Sequence, residues 1–239
     1  MRQIILHYHL FKNAGTSIDQ ILRANFKDKW VTSEFARNGA AGNTPEVEEW
    51  IKSTPEAIAF SSHTMSGPLP VLPGVTIIPV IALRDPLARI RSAYKFERQQ
   101  DAETYGAKLA KMTDFRGYVE ARLAQKGDEQ CRNFQVQRLS AFSLGEGSKL
   151  DQAKTAVKWL NEHGAVVLVS DFDAGMERLK SKVATISSAF DWTATRANTS
   201  EKLPPLKEDA ALTQILIDAN ADDIALVKFA TEFLVSNTH

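Results

Sequence analysis

Apolar positions fall into two kinds of run along the chain. Short continuous runs at residues 4–10, 57–62, 75–83 and 165–169 have the length of strands buried on both faces, and the last two are rich in β-branched side chains. Between them, apolar residues recur every three or four positions. Examples are Ile18, Ile21, Leu22 and Phe26; Val47, Trp50 and Ile51; Leu87, Ile90, Ala93 and Tyr94; and Phe172, Met176, Leu179 and Val183. That spacing lines one face of a helix. Residues 30–35 add a short strand. Thr44-Pro45 reads as a helix start with Thr44 as the cap. Further helices are predicted at 115–123, 133–140, 150–160, 207–218 and 222–235, and the polar stretch 99–106 is predicted to loop over the sheet edge. Strands alternating with helices predict a parallel sheet of about four or five strands with helices on both faces. The fold expected is a three-layer α/β domain spanning residues 1–239. The run VTIIPVIAL at 75–83 reads as the central strand, and Pro79 within it predicts a bulge or a sheet margin.

Composition narrows the partners. The chain has 239 residues, is 44% hydrophobic and has a formal net charge of zero. It is long enough for one substantial core, but it has no global field to hold nucleic acid or an anionic membrane. Anion binding must come from a local cluster. Cys131 is the single cysteine, which excludes an internal disulfide and a cysteine-based zinc site. The first strand starts within a few residues of Met1, so neither a signal peptide nor a membrane anchor is expected, and a cytoplasmic location is.

The candidate chemistry concentrates at residues 6–18, LHYHLFKNAGTSI. A strand, a loop of small residues and a helix N-terminus form an anion site, because loop N–H groups converge and the helix dipole favours negative charge. Lys12 adds a full charge, and Thr16 and Ser17 add donors. The ligand expected is a phosphate. A Walker A loop places its lysine after the glycines; here Lys12 comes first. A second site follows the central strand, where Leu83-Arg84-Asp85-Pro86 leads into a helix carrying Ser92 and Tyr94. Arginine suits phosphate because its planar fork holds two oxygens. Arg89, Arg91, Lys95 and Arg98 make this helix basic, mostly as a solvated face.

The order His9, Lys12, Gly15, Thr16, Ser17 resembles the 5′-phosphosulfate loop of sulfotransferases that use 3′-phosphoadenosine 5′-phosphosulfate (PAPS), and is most similar to the carbohydrate branch. Phe11 stands where that loop commonly has proline, and Ala14 where it has a first glycine. The segment 83–94 resembles the same family's Leu-Arg-Asp-Pro…Ser-x-Tyr pattern. The resemblance implies sulfuryl transfer from PAPS to a hydroxyl acceptor, a saccharide, by a P-loop-like fold. It implies that Lys12, Asn13, Ala14, Gly15, Thr16 and Ser17 bind the donor, with Lys12 stabilising the leaving 5′-phosphate, and that Arg84 and Ser92 hold the 3′-phosphate. His63 follows an apolar strand, as does the catalytic base of the uronosyl 2-O-sulfotransferases; a histidine in such a loop is otherwise a capping or solvated side chain. His9 is expected to support the loop by hydrogen bonding. Asn133, Gln135 and Arg138 resemble a helical segment of the family, with Arg138 as the acceptor-binding candidate. Thr199, Ser200 and Lys202 resemble a late loop that closes on the cofactor. No metal is implied. Two rivals stay open: a P-loop kinase of a small molecule, and a non-catalytic nucleotide- or glycan-binding module of the same fold.

Overall fold

The structure, a computed structural model, describes residues 2–36, 42–193, 206 and 208–236. Its centre is a sheet of five parallel strands, β1 (Arg2–Tyr8), β2 (Trp30–Thr32), β3 (Ala59–Ser62), β4 (Val75–Leu83) and β5 (Ala165–Leu168), in the order β2-β3-β1-β4-β5. The helices are α1 (Gly15–Phe26), α2 (Thr44–Ser53), α3 (Pro86–Gln99), α4 (Tyr105–Met112), α5 (Phe115–Ala124), α6 (Phe134–Ser140), α7 (Lys149–His163), α8 (Phe172–Val183), α9 (Ala210–Ala219) and α10 (Ala221–Ser236).

Side-chain alternation along the strands builds two cores. On one face Ile5, Ala59, Val80, Ala82 and Val167 meet α1 and α8. On the other, Ile4, Leu6, Phe60, Ile81 and Leu83 meet α2, α6, α7 and α10. This is the expected three-layer α/β architecture. A third apolar cluster joins α3, α4, α5 and α9 through Ile90, Tyr94, Tyr118, Leu212 and Leu216. The chain leaves β1 toward the β2–β3 side and later crosses to β4 on the other side, so the strand order reverses beside β1. Crevices at the carboxyl ends of strands flanking such a reversal are where α/β proteins place ligands.

Several local expectations change. Pro79 makes no bulge against β1: the register runs unbroken from Arg2↔Val75 through Leu6↔Pro79 to Tyr8↔Ile81. Pairing with β5 starts one residue later, at Val80↔Ala165, so the missing donor falls at a margin. The cap of α2 is Asn43, not Thr44; the Asn43 side chain instead ties the loop at Thr64 and Ser66. Part of the expected 99–106 loop is helical, because Thr104 caps α4. Arg89 does not lie on a solvated face. It is fully buried, its guanidinium over the Phe134 ring at 4.4 Å and donating to the Gln130 carbonyl, and burial pulls its pKa down. Among the described residues, no helix is long and apolar enough to cross a membrane.

Candidate functional site

The loop after β1 turns sharply. Lys12 and Ala14 both adopt left-handed backbone, at φ 63° and 58°. Ala14 is the N-cap of α1, and its carbonyl accepts from the N–H groups of Ser17 and Ile18. The α1 amides before Ser17 belong to the first turn, where N–H groups have no partner within the helix. Gly15 is required here by a neighbour: a Cβ would fall 2.1 Å from His9 Cδ2. The His9 ring therefore packs directly on the helix start. Thr16 is exposed and Ser17 half-buried. The Lys12 ammonium sits over the Phe96 ring at 4.2 Å; burial first, then the charge of Arg84, pulls its pKa down.

The two motif segments meet. Arg84 Nη1 donates to the Lys12 carbonyl at 3.0 Å. Gln135 braces both: its Oε1 accepts from Asn13 Nδ2 at 2.8 Å and from the Arg84 N–H at 2.9 Å, while its Nε2 donates to the Arg84 carbonyl at 2.8 Å. The α6 start holding Gln135 is fixed in turn by Asp223, which accepts from the N–H groups of Gln135 and Val136. Asn13, expected among the donor-binding residues, turns its side chain into the core, bonding Ala82 and Gln135. It shapes the loop from behind. Ser92 is half-buried one turn before Phe96, on the helix side that meets Phe11 and Lys12.

Three histidines gather beside this loop. His7 and His9 each set Nδ1 against Asp19, at 2.8 and 2.7 Å. Burial alone would raise the Asp19 carboxyl, but the hydrogen bonds and charges of the two rings outweigh it and hold it far below the usual carboxylate range. Burial, the largest influence on His9, pulls its pKa down. An ionised Asp19 requires both rings to carry their proton on Nδ1. These donor atoms lie within 4.8 Å of one another, the spacing of a cation site, but they face one another at hydrogen-bonding distance. The His63 ring lies 3.9 Å from the His9 ring, and its Nδ1 bonds Glu34 Oε1 at 2.6 Å. Burial raises the Glu34 carboxyl, while hydrogen bonds from His63 and Thr64 lower it further, leaving it below its usual value. With Nδ1 donating to an ionised Glu34, the neutral tautomer of His63 has its lone pair on Nε2.

His9, Phe11, His63 and Arg138 line a cleft of about 680 Å³ together with Glu97, Tyr105, Arg122 and Asp128, from α3, α4, α5 and the turn after α5. Arg138 stands over Phe134 and faces Glu129 at 3.6 Å. Lys12, His63 and Arg84 follow the carboxyl ends of β1, β3 and β4, and the cleft lining includes His63 and Arg138 but not Lys12, Thr16, Ser17, Arg84 or Ser92. Thr199, Ser200 and Lys202 lie outside the described residues. Sequence reasoning missed Asp19 and Glu34. A polar residue on the first turns of a helix opposite two histidines two apart on a strand was a readable signal for Asp19; nothing local marked Glu34.

No family model matches this chain. An uncharacterized protein of Archaeoglobus fulgidus is 37% identical over 242 aligned positions, covering 94% of each chain. With that identity over nearly its whole length, the chain belongs to the same family as this archaeal protein.

Proposed function

We propose that this protein is a sulfotransferase that moves a sulfuryl group from PAPS to a hydroxyl of a saccharide acceptor, using the β1–α1 turn as a P-loop-like phosphate site in a cytoplasmic enzyme. The observation that carries this reading is the 3.0 Å bond from Arg84 to the Lys12 carbonyl. It joins, across 72 residues, the two segments that resemble donor-binding motifs. Lys12, the first-turn N–H groups of α1 and the Thr16 and Ser17 hydroxyls face charge developing on the leaving 5′-phosphate, in a half-buried setting that strengthens their effect. Arg84 and Ser92 take the 3′-phosphate and fix the donor for in-line attack. His63, oriented by Glu34, accepts the acceptor's hydroxyl proton on Nε2. As the acceptor oxygen bonds to sulfur, the bond from sulfur to the bridging oxygen breaks and its electron pair leaves with the phosphate.

Radiolabelled PAPS with a panel of saccharides tests the reaction, and label transferred to a saccharide is the expected result. Lys12→Ala should lower turnover by about 10²-fold or more. Arg84→Ala should weaken adenosine 3′,5′-bisphosphate by roughly 2–5 kcal/mol. Equal melting shifts from AMP and the bisphosphate would remove the 3′-phosphate site, and phosphate transfer from ATP would make the protein a kinase.

A further inference from the structure

The cleft beside His63 carries its own selection, separate from the donor loop. Its floor is an ion group in which Arg122 bonds Glu97 at 2.8 Å and Asp128 at 2.7 Å, with the Tyr118 hydroxyl donating to Glu97 at 2.6 Å. One guanidinium therefore faces two carboxylates. Gly106 at the start of α4 is seated on this group: a Cβ there would come 2.1 Å from both Arg122 Nη2 and Glu97 Oε1. The floor is thus held rigidly in place. Elsewhere in the lining, Arg138 faces Glu129, His9 shares Asp19 with His7, and His63 bonds Glu34. Among the described lining residues there is no lysine, and each lining guanidinium already has a carboxylate beside it.

We propose that the molecule bound in this cleft is an uncharged polyhydroxylated compound, a neutral saccharide or glycoside, and not a sulfated or uronate-bearing polyanion. Naming it the acceptor rests on the sulfotransferase reading; the charge argument does not. A polyanion entering the cleft meets a floor with excess negative charge and cations already engaged, and like-charge juxtaposition is costly. Neutral sugars need two other things. One is an aromatic face for their C–H surface, which Tyr105 supplies: it lines the cleft and is 49% exposed. The other is a set of acceptors and amides for hydroxyl pairs, supplied by Glu97, Glu129, Gln100, Gln125 and Gln130. Gln130 Nε2 is buried without a hydrogen-bond partner among the described residues.

Calorimetry on the full chain tests this, with maltooligosaccharides and N-acetylglucosamine oligomers as neutral probes and heparan sulfate and hyaluronan oligosaccharides as polyanions. A parallel melting assay uses adenosine 3′,5′-bisphosphate. Neutral oligomers should bind with affinity changing less than about twofold between low and moderate salt. Tyr105→Ala should weaken them about tenfold while the bisphosphate shift persists. Tighter binding of polyanions, falling steeply with salt, overturns the proposal. So does binding of neither class when the bisphosphate shift is intact. Neutral-sugar binding without any bisphosphate response upholds this cleft as a glycan site and removes the sulfotransferase reading alone.

Discussion

At the carboxyl edge of the sheet, two sets of imidazole–carboxylate bonds lie one ring apart, at nearly equal lengths and in opposite surroundings. His7 is fully buried and Asp19 only 13% exposed by side chain, whereas His63 and Glu34 are 56% and 49% exposed. In the buried set one carboxylate serves two rings, and both Nδ1 protons are committed to it. That arrangement fixes the shape of the loop and keeps His9 pressed on Gly15. In the exposed set one carboxylate serves one ring, and that ring is open to solvent and lines the cleft. The same chemical pair is therefore sealed from water in one place and open to water in the other. The difference lies in burial and in how many rings share the carboxylate.

The largest expected effect separates the two sets by activity. His63→Ala should lose roughly 10²–10⁴-fold in turnover while binding adenosine 3′,5′-bisphosphate normally and melting near the wild-type temperature. Near-normal turnover would sink the division of labour at its catalytic half. Next, Asp19→Ala should cost roughly 2–3 kcal/mol of stability, because two buried donors lose a charged acceptor; chemical denaturation measures it, and a loss under about 0.5 kcal/mol would mean that the clamp holds nothing.

Acid should reveal the same asymmetry. The folded Asp19 carboxyl is held below its usual value, so its contribution is present above about pH 3.9 and is lost as pH falls toward the folded pKa. His9, also lowered by burial, takes up its proton less readily folded than unfolded, so stability already declines as pH falls below about 6.5. Denaturation midpoints across pH 3 to 8 should therefore slope downward into acid, and Asp19→Asn should flatten the slope below about pH 4. The smallest effect belongs to the exposed carboxylate. Glu34→Gln should change stability by less than about 1 kcal/mol and lower turnover about tenfold by loosening the ring and its tautomer, far less than for a buried orienting carboxylate. A stability loss matching that of Asp19→Ala would erase the distinction.

How much of this was readable from the chain depended on the range of each interaction. The strand 75–83 appears with the bounds expected, since continuous burial writes itself into every residue. The positions of Lys12, His63 and Arg84 followed from local motifs at strand ends. Arg89 misled, because a charged residue buried against Phe134 and Gln130 has partners about 40 residues away that no helical period shows. The stretch 99–106 read as loop because it is polar, whereas Thr104 caps α4 and the missing Cβ of Gly106 admits the Glu97–Arg122 pair. Glu34 sits after a strand of three residues and meets His63 only through the β2–β3 pairing.

The Gln135 brace also has a kinetic consequence. It links Asn13 to Gln135 across 122 residues and Arg84 to Gln135 across 51, and closing such long segments costs chain entropy before any contact rewards it. The left-handed turn at Lys12–Ala14 thus gains the last of its support when α6 docks, late in the search. The sheet can be in place while the turn is still averaging over conformers, so hydrogen exchange during refolding should protect β1 and β4 amides before those of the turn.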